Sequence, residues 1–97
     1  MEIEGVFPPV TTPFDDNGCI VYDQFAENFK RWNETDISGY LILGSNSESV
    51  FLNEEEKLEI VKTARESIPP SKKMLVGTGL ECTKGTVEFT RRAADCE

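Results

Sequence analysis

Three short stretches carry the side chains best suited to chemistry: Thr11-Thr12-Pro13, Gly44-Ser45-Asn46-Ser47-Glu48 and Gly77-Thr78-Gly79. All are rich in small, hydroxyl-bearing or backbone-permissive residues, which suits the donation of hydrogen bonds to a carboxylate or carbonyl oxygen. The second is the most informative. Its glycine lets the backbone approach a ligand closely, while Ser45, Asn46 and Ser47 offer hydroxyl, amide and N–H donors in succession. Two readings of it stand side by side: a cradle for an anionic oxygen, or a strand-to-helix turn stabilised by its own side chains. Glu48 reads as a carboxylate that accepts local N–H groups and braces the turn, rather than as a general acid or base. The third stretch lacks the full spacing of either a P-loop or a dinucleotide-binding loop.

Other chemistries are narrowed by composition. With no histidine, and with Cys19, Cys82 and Cys96 far apart, a Cys/His zinc site cannot be assembled, and no imidazole is present to activate a nucleophilic thiol. The three cysteines read as reduced thiols in packing or surface positions. The formal charge of −8, from 18 acidic against 10 basic side chains, comes with no basic stripe or tail. Nucleic acid and anionic membrane surfaces, both held by clustered Lys and Arg, are therefore excluded as expected partners. No apolar run approaches the roughly 20 residues of a membrane span. The start Met1-Glu2-Ile3-Glu4 is acidic where a targeting peptide would be basic, so the expected location is the cytoplasm.

The elements that must position the three stretches alternate in type. Val6-Phe7-Pro8-Pro9-Val10 suits a short strand, irregular or at an edge because its prolines remove ladder donors. Asp15-Asp16-Asn17-Gly18 is turn chemistry. From about Asp23 to Asn33, Phe25, Phe29 and Trp32 recur on one helical face. Tyr40-Leu41-Ile42-Leu43, an apolar run bounded by glycines, predicts a strand covered on both faces. Asn53-Glu54-Glu55-Glu56 predicts a capped helix start with three acids at the positive end of the dipole. Its apolar stripe runs through Leu58, Ile60, Val61, Ala64 and Ile68 until Pro69-Pro70 stops it. Met74-Leu75-Val76 predicts the third strand, and Thr83 is the expected cap of a last helix bearing Val87, Phe89, Thr90, Ala93 and Ala94.

The order β-α-β-α-β-α implies an α/β fold with parallel strands joined by right-handed crossovers. In such folds ligands sit beyond the carboxyl ends of the strands, which is where the three stretches fall. Three parallel strands are too few for a self-sufficient sheet, so the 97 residues read as the start of a larger domain. The alternative is a small non-catalytic module that kept part of such a fold; it would unfold cooperatively as a monomer.

Taken together, Gly5-Val6-Phe7-Pro8-Pro9-Val10-Thr11-Thr12-Pro13-Phe14, Gly44-Ser45-Asn46-Ser47-Glu48 and Val76-Gly77-Thr78-Gly79 resemble the dihydrodipicolinate synthase and N-acetylneuraminate lyase family of pyruvate-dependent class I aldolases. The match runs along essentially the whole chain. The Gly-Ser-Asn form of the second stretch, with Thr78-Gly79-Leu80-Glu81-Cys82-Thr83, looks closest to the 4-hydroxy-2-oxoglutarate aldolase branch. Ser47 stands where the family's usual loop, Gly-Thr-Thr-Gly-Glu, has its second glycine. The resemblance implies the N-terminal three βα units of a (β/α)8 TIM barrel, with residues 1–97 as the N-terminal portion of a single domain and strands 4 to 8 absent. It implies Schiff-base chemistry on pyruvate or another small-molecule 2-oxo acid, no metal or organic cofactor, and a homo-oligomeric parent. Ser45 is implied as the hydroxyl that relays protons with a tyrosine, and Ser45 with Asn46 as the holders of the substrate carboxylate. The family's Schiff-base lysine and its tyrosine are expected on later strands, so this segment alone is expected to be inactive. The runner-up for the parent is dihydrodipicolinate synthase-type condensation.

Overall fold

Tyr40-Leu41-Ile42 and Met74-Leu75-Val76, the two apolar runs free of proline, lie side by side as parallel strands in the computed structural model, which describes residues 2–96. The elements are α1 (Tyr22–Trp32), β1 (Gly39–Ile42), α2 (Glu54–Ser67), β2 (Lys73–Val76) and α3 (Thr83–Ala94). Register runs in phase from Gly39 opposite Lys73 to Ile42 opposite Val76.

The expected first strand is only partly realised. Val10 donates its N–H to Leu41 O at 3.0 Å, and Leu41 donates to Pro8 O at 3.1 Å, so the segment runs parallel to β1 on the edge away from β2. Pro8 and Pro9 have no N–H to give, which leaves a single bridge, Pro9 to Leu41, in place of a ladder. The spatial order is thus leading segment, β1, β2.

Side chains alternate across a strand, and the helices cover one face. Tyr40 and Ile42 are buried in one cluster with Phe25, Phe29, Ile60, Val61, Ala64 and Phe89, and Met74 and Val76 pack against it. Leu41 and Leu75, on the opposite face, stay half-buried, so the expectation of a strand enclosed on both faces is not met among the described residues. In α1 the predicted stripe makes edge-to-face contacts, with ring centroids 5.1 Å apart for Phe25 and Phe29 and 5.0 Å for Phe29 and Tyr40.

The start of α2 forms the predicted capping box. Asn53 accepts from Glu56 N at 2.8 Å, and Glu56 accepts from Asn53 N at 2.9 Å; such a cap contributes about 1 kcal/mol. Ile68, extended ahead of Pro69, ends the helix. The cap of α3 differs from expectation. Cys82 occupies the capping position, its Sγ accepting from Gly85 N at 3.3 Å, while Thr83 is the first helical residue. A thiol is a weak acceptor, and it serves because the backbone at Cys82 is extended while that at Thr83 has already turned. Among the described residues no helix is long and apolar enough to cross a membrane.

Tyr40 ties the sheet to both helices. Its hydroxyl donates to Asn33 Oδ1 at 2.7 Å, and Asn33 Nδ2 donates to Ser67 O at 2.9 Å. Burial pushes the Tyr40 phenol above its ordinary pKa. The folded state therefore keeps a proton that the unfolded chain sheds near pH 10, and stability should fall as pH rises past about 10. Tyr22, raised by burial and by Glu56 and Glu59, adds its own share. Tyr40→Phe should weaken this alkaline loss and cost about 1–2 kcal/mol at neutral pH, because Asn33 loses its donor. Urea unfolding of both proteins at neutral and alkaline pH measures both effects.

Candidate functional site

The chain leaves β1 through Leu43, which takes a left-handed backbone with φ of 60° although it is buried and not glycine. Conformations of this kind cost on the order of 1 kcal/mol and persist where the surroundings hold them. Gly44 is extended, Ser45–Ser47 make a turn of 3-10 helix, Glu48 is again left-handed at φ 61°, and Ser49–Phe51 make a second such turn before the α2 cap.

Hydrogen bonds from inside and outside hold this path. Ser47 Oγ donates to Gly44 O at 2.6 Å, and Ser47 N donates to the same carbonyl at 3.1 Å. Thr12 Oγ1 donates to Ser47 O at 2.8 Å, joining the first stretch to the second. Gly77 N donates to Ile42 O at 2.8 Å, joining the third. A Cβ at Gly77 would lie 2.6 Å from Leu43 O, so the approach of the third loop requires glycine.

Ser45 and Asn46 lie at the carboxyl end of β1 with exposed side chains, as anticipated. Ser47 beside them is 2% exposed and Thr12 is 8% exposed. Both readings of the loop thus have a physical counterpart: Ser47 and Thr12 stabilise the turn, and Ser45 with Asn46 are left to face solvent. Glu48 does not do what its sequence position implied. Its carboxylate is exposed and forms none of the bonds that hold the turn; the brace is the pair of hydroxyls from Thr12 and Ser47. Ser47 in place of the family's glycine is accommodated because the left-handed residues are Leu43 and Glu48, not position 47. Thr78 is turned away, sharing a 2.8 Å hydrogen bond with Thr90 of α3.

No basic side chain lies within the three stretches. Lys72 Nζ donates to Thr35 O and Ile37 O at 2.8 and 2.9 Å, near the amino end of β1, and Lys73 is the first residue of β2. Lys57 sits over the Phe89 ring between α2 and α3, 5.7 Å from its centroid. Lys30, Lys62 and Lys84 are on the helices. At the carboxyl end of β1 the loop thus exposes the Ser45 and Asn46 side chains together with the Glu48 carboxylate.

The model of the dihydrodipicolinate synthetase family matches residues 2–96. The chain belongs to this family. Its curated relatives include the 4-hydroxy-tetrahydrodipicolinate synthases of Methanothrix thermoacetophila, 36% identical over 94% of the chain and 30% of the relative, and of Natronomonas pharaonis, 31% identical over 94% and 31%. Among solved structures, a dihydrodipicolinate synthase family protein of Coccidioides immitis superposes with a TM-score of 0.89 at 25% identity, over 95% of this chain and 31% of that one. N-acetylneuraminate lyase of Mycoplasma synoviae gives 0.85 at 25%, over 95% and 32%. The fold is that of the N-terminal three βα units of a TIM barrel. The chain spans about a third of the length of the relatives it matches.

Proposed function

We propose that the protein carrying this segment is a Schiff-base lyase acting on pyruvate or another 2-oxo acid, with residues 1–97 as the N-terminal portion of one barrel domain. The single observation that carries this reading is the turn at Ser45–Ser47, braced from beneath by Thr12 and presenting Ser45 and Asn46 at the carboxyl end of β1. A lysine amine adds to the keto carbon and water leaves; the resulting iminium accepts the electron pair released when the C–C bond breaks. Ser45 passes a proton to or from the reacting centre, and Asn46 with Ser45 holds the carboxylate. The lysine and its partner tyrosine belong to later strands, and this segment alone does not turn over substrate. The lyase works in the cytoplasm as a homo-oligomer.

For the second substrate, the Gly44-Ser45-Asn46 form favours cleavage of 4-hydroxy-2-oxoglutarate to pyruvate and glyoxylate. The names of the relatives support the runner-up, condensation of the 4-hydroxy-tetrahydrodipicolinate synthase type. The full-length protein should release glyoxylate from 4-hydroxy-2-oxoglutarate. Failure to do so, with turnover in the condensation assay, would assign it to the runner-up.

A further inference from the structure

We propose that Thr12 is a positioning residue of the 2-oxo acid site, acting through Ser47 to hold the turn that presents Ser45 and Asn46; this rests on the function proposed above. The Thr12 hydroxyl is buried and donates at 2.8 Å to a carbonyl 35 residues away in sequence. That carbonyl belongs to the peptide joining Ser47 to Glu48, and Glu48 holds the left-handed φ of 61° that separates the two 3-10 turns. The bond therefore fixes the peptide plane on which an unfavourable backbone conformation depends. Ser47 closes the other end of the same turn through its buried side chain on Gly44 O. Ser45 and Asn46 lie between these two anchors, with no share in either. A buried donor so placed acts on substrate through the geometry of the turn and not by contact. Thr11, its exposed neighbour, has no such bond among the described residues.

The test compares Thr12→Val, which keeps the branched shape and loses the donor, with Thr12→Ser, which keeps the donor, both in the full-length protein. Thr12→Val should lower kcat/KM for the 2-oxo acid by on the order of tenfold and speed hydrogen exchange of the Glu48 and Phe51 amides, which donate to Ser45 O and Glu48 O, by a similar factor. Amides in the middle of α2 should keep their wild-type rates, which separates local loosening from general destabilisation. Thr12→Ser should restore both readouts. Unchanged loop exchange in Thr12→Val would overturn the proposal, as would faster exchange with undiminished kcat/KM. A wild-type protein inactive on every 2-oxo acid would instead overturn the function it rests on, and the exchange rates would still decide whether Thr12 holds the turn.

Discussion

Ser45→Ala in the full-length protein should lower turnover by on the order of ten- to a thousandfold, the usual cost of losing a positioned donor or proton-transfer group. The structure sharpens this expectation by separating two adjacent hydroxyls. Ser47 is 2% exposed with its hydroxyl committed to Gly44 O, whereas Ser45 is exposed and takes part in the turn only through its backbone carbonyl, which accepts from Glu48 N at 3.1 Å. Removing the Ser45 hydroxyl should therefore change stability by less than about 1 kcal/mol. Measuring kcat and melting temperature together separates the roles: full activity in Ser45→Ala would remove this serine from the mechanism, and a large drop in melting temperature would make it a structural residue.

The largest effect on stability is expected at Gly39, where β1 meets β2. A Cβ there would lie 2.1 Å from Lys73 O and 2.7 Å from Cε2 of the Phe7 ring. The first is backbone of the paired strand, so relief requires the strands to part. Gly39→Ala should thus cost at least about 3 kcal/mol, the upper end of what overpacking imposes. Gly79→Ala is the control, since nothing lies within 4 Å of its Cβ position, and it should stay within about 0.5 kcal/mol. Denaturant unfolding of the pair reads the difference; equal midpoints would mean that the leading segment and β2 are not packed around Gly39 as described.

Local signals were legible before any coordinates. The Asn53 to Glu56 box and the Phe25, Phe29, Trp32 stripe each lie within one helix, where propensity and periodicity act over a few residues. Pro8 and Pro9 announced an irregular strand for the same reason, a missing N–H. What sequence could not show was non-local. The Thr12 brace joins residues 35 apart, and nothing in Thr11-Thr12-Pro13 says which hydroxyl turns inward. Glu48 departs from the bracing role its position suggests: its backbone is left-handed and its side chain is exposed. The thiol cap at Cys82 was missed because threonine is the better capping residue, and backbone geometry, not affinity, chose between the neighbours. Ser45 and Asn46 stand where the motif put them, at the end of β1.

Borohydride trapping tests the central claim most directly. The full-length protein incubated with pyruvate and sodium borohydride should gain one stable carboxyethyl group per chain, the reduced Schiff base, and peptide mapping should place it on a lysine outside residues 1–97. The 97-residue chain treated identically should gain none. No adduct on the full-length protein, or an adduct on Lys30, Lys57, Lys62, Lys72, Lys73 or Lys84, would contradict the account.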